Sequence, residues 1–330
     1  MLSVTKMENK QNRAGIAVAG SLLVDNIYEI SAYPAEGELT QIRNIKMTVG
    51  GLVPNNGIGL KKLAPTLPIF AIGKIGADAA GEFARETIKN AGVDTTGICV
   101  AENEKTSFTD VMSIVGGQRT FFTYAGASAE FGYDDIDWEN LSCKMLHLGY
   151  FLLLKKVDEG DGLKILKEAT ERGIATSIDL VSENSDRYTC VLPCLPYVDN
   201  LIINELEAGK LCGLEPIEEN LPAMAEKLLS LGVRERVILH TPKIGLCAEK
   251  NGKVTSRPSC PLPKGFVKGK TGAGDAFCSG ALVAIERGAS AEEILELAEA
   301  VAVSSLTEAN ATDGILSEEE ALKAFRALQA

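Results

Sequence analysis

The sequence is poor in histidine and in aromatic residues, and it contains no long hydrophobic segment. Only two of its 330 residues are histidines, and aromatic residues make up 5%. No apolar run approaches the ~18 residues that cross a bilayer. The polar start of the chain has no hydrophobic stretch of signal-peptide length. We therefore expect a cytoplasmic protein with no membrane partner.

Basic residues are outnumbered by acidic ones. The chain has 33 lysines and arginines against 45 aspartates and glutamates, a formal net charge of −12. An acidic surface repels nucleic acids and anionic membranes, and no run of basic residues offers a local exception. The sequence therefore predicts no nucleic-acid partner, although a few basic side chains could still bind a small anionic substrate.

The eight cysteines are scattered along the chain. The closest pair, Cys190 and Cys194, is separated by three residues instead of two, and only His147 and His240 could complete a site. This spacing does not match a structural zinc site. We expect reduced, mostly buried thiols.

The overall composition, 45% apolar and 24% charged residues, is typical of a globular protein with a substantial core. Short apolar runs of strand length alternate with segments of helical periodicity. This alternation predicts an α/β domain of three layers, a mostly parallel sheet with helices on both faces, over residues 14–330 after a loose tail at residues 1–13. The clearest strands are 16–20, 145–150, 175–180 and 200–204, and the clearest helices are 163–173 and 221–232.

Two stretches break this alternation. Residues 22–49 and 106–125 alternate apolar with polar residues, which is typical of strands with one face in water. Gly116 and Gly117 provide a hairpin turn in the second stretch. We expect these stretches to form a small β-sheet beside the main domain. A free edge of such a sheet can pair with a second chain, which leaves a homodimer through this sheet open.

The strongest chemical signal is KGKTGAGDAFCSGALVAIERG (268–288). Gly272, Ala273 and Gly274 lead into an apolar helical segment, so unpaired backbone N–H groups at its positive end can bind an anion. Asp275 follows them. Because a carboxylate repels phosphate, Asp275 either caps the helix or takes a proton from a hydroxyl group that attacks a phosphate.

Two familiar nucleotide-binding motifs are absent from this segment. GFVKGKT (265–271) has three residues between its glycines where a P-loop has four. GAGDAF (272–277) lacks the third glycine of the dinucleotide fingerprint. These departures disfavour a P-loop protein and a nicotinamide-dependent dehydrogenase.

TGAGDAFCSG (271–280) resembles the C-terminal signature of the ribokinase-like (PfkB) family of carbohydrate and nucleoside kinases. VGGLVPN (49–55) is similar to the family's Gly-Gly-x-x-x-Asn segment, and NELE (204–207) to its Asn-x-x-Glu motif. AGSLLVDN (19–26) and GKIGADAAGEF (73–83) resemble two further segments. The five similarities follow the family's order, so the resemblance implies its fold, including a β-sheet lid.

The resemblance implies an ATP-dependent phosphotransferase that moves the γ-phosphoryl group of ATP to a hydroxyl group of a small sugar. Asp275 would be the general base, and the backbone amides of Gly272, Ala273 and Gly274 would form an anion hole around the transferring group. Positioning and charge neutralisation would then provide most of the catalysis.

The resemblance also implies where the substrates and the metal ion bind. The expected residues are Asp25, Gly50, Gly51 and Asn55 for the sugar; Asn204, Lys243, Gly245, Thr271 and Asn310 for ATP; and Asn204 and Glu207 for Mg²⁺ through water. Asp179 ends a predicted strand, where a parallel sheet forms its crevice, so we expect it to face the substrate or the nucleotide.

Several of these residues have a structural alternative. Asp25 could end the first strand, Asn55 could cap the helix that follows it, and Glu207 could be an exposed helical carboxylate. His147, flanked by two leucines, is expected to be a core histidine, with a place in the substrate pocket as the alternative.

The chain departs from the family's pattern in two places. Gly269 and Lys270 stand where the family usually has Asp followed by Thr or Ser, and this acidic position often helps to hold a monovalent cation. Activation by K⁺ is therefore in doubt, and Lys270 either replaces the cation's charge or is an exposed loop residue. HTPKIG (240–245) differs from the family's Thr-x-Gly-x-x-Gly pattern, which weakens the assignment of Lys243 and Gly245.

The substrate class stays open at this stage. The low aromatic content, with Trp138 as the single tryptophan, provides no obvious platform for stacking a base and favours a sugar over a nucleoside. The alternatives are a nucleoside kinase and a catalytically weak, sugar-binding regulatory module. The intact Asp275 and its glycine-rich turn argue against the regulatory module.

Overall fold

The computed structural model describes residues 13–114 and 117–329. Residues 1–12 of the predicted tail and Gly116 of the predicted turn lie outside these ranges. The described residues form two β-sheets and nine α-helices.

The strands are spread over most of the chain, and nine of the thirteen belong to one large sheet. In chain order they are β1 (Ile16–Gly20), β2 (Leu23–Ile30), β3 (Ile42–Gly50), β4 (Ile69–Gly76), β5 (Asp94–Ala101), β6 (Ser107–Ile114), β7 (Arg119–Tyr124), β8 (Met145–Phe151), β9 (Ala175–Leu180), β10 (Asn200–Asn204), β11 (Arg236–His240), β12 (Ile244–Glu249) and β13 (Val254–Pro258). The large sheet has the order β13-β12-β11-β10-β9-β8-β1-β4-β5. All of its pairs from β5 to β11 are parallel, and only β12 and β13 run antiparallel to their neighbours. The predicted mostly parallel sheet is confirmed.

The helices connect the strands and cover both faces of the large sheet. In chain order they are α1 (Leu52–Leu63), α2 (Ala79–Asn90), α3 (Gly126–Ala129), α4 (Gly162–Glu171), α5 (Glu205–Cys212), α6 (Leu221–Ser230), α7 (Ala273–Glu286), α8 (Ala291–Ser305) and α9 (Glu318–Gln329). Apolar side chains of α4, α5 and α6 join one buried cluster, and those of α1, α2, α7 and α8 join another.

Strand β1 shows why the core has two halves. All of its residues are buried, and successive side chains point to opposite faces of a sheet. Ala17 and Ala19 accordingly join the cluster with α4 to α6, whereas Ile16 and Val18 join the cluster with α1, α2, α7 and α8. A strand that is buried on both faces has a continuous apolar sequence, and β1 has such a sequence.

The second sheet has four strands in the order β3-β2-β6-β7. Strand β2 pairs antiparallel with β3 and parallel with β6, and β6 pairs antiparallel with β7. The small sheet predicted from residues 22–49 and 106–125 is confirmed, and we call it the lid sheet. Every side chain of β7 is exposed.

Two further expectations can be compared with the structure. Among the described helices, none combines the length and the apolar character needed to span a bilayer. Six of the eight cysteines are buried, in agreement with the expectation of mostly buried thiols.

Candidate active site

A cavity of about 290 Å³ opens where the parallel strands β8 to β11 end. Its lining includes Tyr150 and Asp179 from β8 and β9, and Asn204 and His240 from β10 and β11. The first residues of α7, with Asp275, form the opposite wall. We call this space the acidic cavity. Parallel strands bring their carboxyl ends to one edge, which explains why residues far apart in the sequence meet here.

The start of α7 carries the N–H groups of the predicted anion site. Gly272 caps the helix with a φ of 76°, and a Cβ at this position would lie 2.3 Å from the Cβ of Ala311, so only glycine fits. The N–H group of Ala273 donates to a preceding carbonyl at 3.3 Å. Those of Gly274 and Asp275 make no hydrogen bond within the described residues. These two N–H groups, at the positive end of a 14-residue helix, are available to an anion.

Asp275 is the third residue of α7, and its side chain is turned away from the helix end. Its carboxylate accepts hydrogen bonds from Asn55 Nδ2 at 2.8 Å and from Tyr150 Oη at 2.8 and 3.0 Å. Since α7 has no side-chain cap, the capping alternative for Asp275 is wrong. Asn55 likewise lies inside α1, whose N-cap is Gly51, so its capping alternative is wrong as well.

The surroundings of Asp275 raise the pKa of its carboxyl group. The pKa of its carboxyl group is raised from 3.8 to about 7, mainly by burial and in smaller part by the charge of Asp179. The hydrogen bonds from Tyr150 and Asn55 act in the opposite direction. Burial also raises the pKa of the Tyr150 hydroxyl above its ordinary value, so Tyr150 stays a hydrogen-bond donor. A carboxylate with a pKa near neutrality is suited to take a proton from a hydroxyl group.

Sequence reasoning does not identify Tyr150 as a site residue. Its φ of 61° is unusual for a residue other than glycine. Its N–H group donates to Asp179 Oδ1 at 2.7 Å, so the end of β8 that carries the phenol ring is bonded to the neighbouring strand β9. The only available signal is its position at the end of the predicted strand 145–150, since the carboxyl ends of neighbouring parallel strands meet at one edge.

Asn204 and Glu207 form a second polar group in the acidic cavity. Asn204 Oδ1 accepts from the Glu207 N–H group at 3.0 Å, and Glu207 Oε2 accepts from the Asn204 N–H group at 3.1 Å. Ser182 Oγ donates to Glu207 Oε1 at 2.8 Å. Glu207 is 4% exposed, so the alternative of an exposed helical carboxylate is wrong.

This polar group fits a magnesium ion. Burial raises the pKa of Glu207 to about 7. Carboxylate, amide and hydroxyl oxygens are the ligands that Mg²⁺ prefers, often through its own water molecules. Because Asn204 Oδ1 and Glu207 Oε2 already accept hydrogen bonds from backbone N–H groups, the geometry is compatible with a metal ion held through water.

A second cavity of about 450 Å³ lies beyond His240 and Gly274, which line both spaces. Its lining is mainly apolar and includes Phe277 and Val303, and we call it the apolar cavity. The His240 and Phe277 rings lie 4.7 Å apart between their centroids. Burial lowers the pKa of His240 to about 4, so the imidazole between the two cavities is neutral. Lys270, which is exposed, lies at the rim of the apolar cavity.

The predicted sugar residues of the lid sheet meet where this sheet joins the main domain. Asp25 lies within β2 and does not end β1, so that alternative is wrong. Burial raises its pKa to about 6. A Cβ on Gly50 would lie 2.4 Å from Asp25 Oδ2, and one on Gly51 would lie 2.8 Å from the Ser21 carbonyl oxygen. Both glycines therefore permit a close approach, and Gly51 also has a φ of 87°.

The sequence matches the model of the pfkB family carbohydrate kinases over residues 14–318. The chain belongs to this family. It is 27% identical to ribokinase from Arabidopsis thaliana over 294 residues, which cover 87% of this chain and 74% of that protein. It is 24% identical to adenosine kinase from Saccharomyces cerevisiae over 280 residues, which cover 82% of this chain and 81% of that protein.

The fold comparison agrees with the sequence comparison. The structure of Arabidopsis thaliana ribokinase complexed with ribose and ATP matches this chain with a TM-score of 0.81 and 24% identity. The match covers 95% of this chain and 99% of that one. As a pfkB kinase, the chain is a phosphotransferase that uses ATP to phosphorylate a sugar or a nucleoside.

Two of the residues expected near ATP in this pfkB kinase adjoin residues that line the apolar cavity but are not themselves part of its lining. Lys243 is exposed and forms an ion pair with Glu218 at 2.8 Å. Gly245 is buried within β12. Neither residue lines the acidic or the apolar cavity. Their roles in ATP binding stay predictions.

Two more of the five residues expected near ATP, Thr271 and Asn310, lie beside the predicted anion site. Thr271 directly precedes Gly272 and is exposed. Asn310 directly precedes Ala311, whose side chain lies against Gly272, and its Oδ1 accepts from the Asp313 N–H group at 2.8 Å. Both are therefore within one residue of the contact that shapes the start of α7.

Proposed function

We propose that this kinase transfers the γ-phosphoryl group of ATP to a hydroxyl group of a small sugar, with Asp275 accepting the hydroxyl proton. The observation that carries the proposal is the position of the Asp275 carboxylate, which is buried beside the free N–H groups of Gly274 and Asp275. A base and an anion site thus lie next to each other, as phosphoryl transfer to a hydroxyl group requires.

The Tyr150 hydroxyl supports this role for Asp275. It donates to both carboxylate oxygens, at 2.8 and 3.0 Å. An acceptor hydroxyl must make the same contact before it loses its proton. In the proposed reaction the sugar hydroxyl takes over one of these hydrogen bonds, while Asn55 keeps the carboxylate in place.

The apolar cavity supports the placement of ATP. Its hydrocarbon lining is suited to a purine base. The phosphates would then pass His240 and Gly274, which both cavities share, and reach the start of α7. There the N–H groups and the helix dipole stabilise negative charge without reorganisation. Asn204 and Glu207 would hold Mg²⁺ through water, and the ion would neutralise charge on the phosphates.

The lining of the acidic cavity favours a sugar as the acceptor. Carboxylates, amides and backbone groups supply the donors and acceptors that sugar hydroxyls need. Tyr150 is the one phenol ring of this cavity among the described residues, which leaves little surface for stacking a base. The similarity to a ribokinase supports the same choice. The similarity to an adenosine kinase keeps a nucleoside as the second candidate.

The test is ADP release from Mg·ATP with a panel of pentoses, hexoses, polyols and nucleosides, with the product identified by NMR. We expect a sugar to raise ADP release well above the rate without acceptor. ADP release with nucleosides alone would identify a nucleoside, instead of a sugar, as the acceptor. Sugar binding without ADP release would favour the regulatory module.

A lid variant sharpens this test. Asp25→Ala removes a half-buried carboxylate that can accept sugar hydroxyls, so the sugar KM should rise on the order of tenfold with the KM for ATP unchanged. Asp110→Ala is the matched control, because this carboxylate lies on β6 of the same sheet and accepts from Asn26 at 3.0 Å. An unchanged sugar KM in Asp25→Ala would show that Asp25 does not bind the sugar.

The lid sheet also supports a homodimer. Ile45 and Phe122 are 64% and 57% exposed and share one face of this sheet, whose edges are β3 and β7. A second copy of the chain that covers this surface would remove these side chains from water. Analytical ultracentrifugation should then show a dimer that Phe122→Asp weakens, and a monomeric wild type would contradict the dimer.

A further inference from the structure

Three buried side chains meet in the wall of the acidic cavity. They are His147 of β8, Asp179 of β9 and Cys278 of α7, and they are 0%, 7% and 2% exposed. His147 Nε2 lies 3.4 Å from Asp179 Oδ2 and 3.5 Å from Cys278 Sγ. One ligand atom from each residue lies within 4.8 Å of the other two. Among the described residues, this is the one such group of histidine, cysteine and carboxylate side chains.

These distances match those between the ligands of a tetrahedral zinc ion. Zinc binds nitrogen and carboxylate oxygen at about 2.0–2.2 Å and thiolate sulfur at about 2.3 Å. With tetrahedral angles, the nitrogen and oxygen ligands then lie about 3.4 Å apart, and the nitrogen and sulfur ligands about 3.5 Å apart. The observed separations of 3.4 and 3.5 Å agree with these values, and the third pair, Asp179 and Cys278, lies within 4.8 Å.

The groups around the three side chains also suit metal binding. Ser177 Oγ lies 3.1 Å from His147 Nδ1. Because a hydroxyl group can accept as well as donate, Ser177 can hold the tautomer that carries the proton on Nδ1 and leaves the Nε2 lone pair free. The Tyr150 N–H group donates to Asp179 Oδ1 and leaves Oδ2 toward His147. Such outer hydrogen bonds orient metal ligands in proteins.

We propose that His147, Asp179 and Cys278 bind Zn²⁺ in a site of three protein ligands whose fourth position opens into the acidic cavity. Asp179 and Cys278 both line that cavity, whereas His147 closes the site from the core side. On binding, the Cys278 thiol loses its proton to the solvent and the thiolate bonds to the metal ion. The site is distinct from the oxygen ligands of Asn204 and Glu207, which suit a hard cation.

Zinc bound at this position inhibits the kinase. The ion engages Asp179 and occupies space beside Asp275, where the proposed acceptor hydroxyl has to lie. The metal site itself rests on the three side chains alone, and only this inhibition depends on the proposed function. Metal binding can therefore be measured without any kinase assay.

The first experiment titrates the full chain with Co²⁺ in the presence of excess Mg²⁺ and without nucleotide, because ATP would chelate the probe. We expect one Co²⁺ per chain, with intense visible bands of tetrahedral coordination and a sulfur-to-cobalt charge-transfer band. Zn²⁺ should abolish both signals by displacement. A weak octahedral spectrum without charge transfer would overturn the proposal.

Variants assign the signals to residues. Cys278→Ala should lose the charge-transfer band and weaken Co²⁺ binding by at least about 100-fold, since even outer hydrogen bonds contribute 10- to 100-fold. Ser177→Ala should weaken binding by about 10-fold and keep the band. Cys247→Ala, at a buried cysteine of β12, is the matched control and should leave the spectrum unchanged. If Cys278→Ala does not fold, His147→Asn replaces it.

The second experiment measures turnover in buffered free Zn²⁺ with saturating Mg·ATP. Wild-type turnover should fall at least tenfold and recover with a chelator. Cys278→Ala, compared with its own rate without zinc, should need at least tenfold more zinc for the same loss. Equal zinc sensitivity in both proteins would overturn the inhibition, and a charge-transfer band that persists in Cys278→Ala would overturn the site.

Discussion

The two cavities share Asn204, His240 and Gly274 but differ in most of the side chains that line them. The acidic cavity contains three buried carboxyl groups, those of Asp179, Glu207 and Asp275, in about 290 Å³. The apolar cavity is larger, about 450 Å³, and is lined mainly by hydrocarbon. From this difference we propose that proton and phosphoryl transfer take place in the acidic cavity and that the nucleotide's base binds in the apolar one.

The largest expected effect comes from removing the proposed general base, Asp275, from the acidic cavity. Asp275→Asn should lower kcat by roughly 10²–10⁴, the usual contribution of a positioned general base. The KM for sugar and the affinity for Mg·ATP should stay within a few-fold, because the anion site consists of backbone N–H groups. Steady-state kinetics and isothermal titration of both ligands check this prediction.

The fold of Asp275→Asn should persist, because Asn matches Asp in size and does not have to cap α7. Thermal unfolding is the control. A variant that folds, binds both ligands and turns over within tenfold of the wild type would contradict Asp275 as the base.

The second prediction concerns the apolar cavity. Ala302 of α8 lines this cavity and is half-buried, so Ala302→Trp should fill part of the space proposed for the purine ring of ATP. We expect the KM for ATP to rise tenfold or more, which corresponds to about 1.4 kcal/mol, while the sugar KM stays unchanged. If the sugar KM rises instead, the assignment of the two cavities is reversed.

The third prediction is a dependence of kcat/KM on pH. Burial raises the pKa of Asp275 to about 7, and the base is active only when deprotonated, so activity should fall as the pH drops below about 7. The fall should approach tenfold for each pH unit. Tyr150→Phe removes a hydrogen bond that lowers this pKa, so the midpoint should move to higher pH. A profile that is flat from pH 8 to pH 5 would contradict this account.

The smallest expected effect is that of K⁺. A Cβ at Gly269 would lie 2.8 Å from Ala309 Cα, so the chain has no room for an acidic side chain there. We therefore expect less than about a twofold change in kcat when K⁺ replaces a bulky organic cation, since no carboxylate at 269 helps to hold the ion. An activation of tenfold or more would contradict the prediction.

Much of this architecture could be predicted from the sequence. The alternation of apolar runs with helical periods predicts the large sheet, and the period of two in residues 22–49 and 106–125 predicts the lid sheet. The segment around Asp275 could be recognised because an anion site at a helix start is local in sequence.

Contacts between distant elements could not be predicted in this way. Tyr150 reaches Asp275 across 125 positions, and His240 separates two cavities only because β11 ends at their common wall. Asn55 looks like a helix cap in the sequence, yet α1 already begins after Gly51, so its side chain is free to bond to Asp275. Such pairings depend on the order of strands and helices, which no short motif encodes.

The most direct test of the division between the cavities is a crystal structure with Mg²⁺ and a non-hydrolysable ATP analogue. We expect the purine ring of the analogue to bind in the apolar cavity, in contact with Phe277 and Val303. The terminal phosphate should lie within hydrogen-bond distance of the N–H groups of Gly274 and Asp275. A purine ring bound in the acidic cavity, or phosphates bound away from the start of α7, would contradict the account.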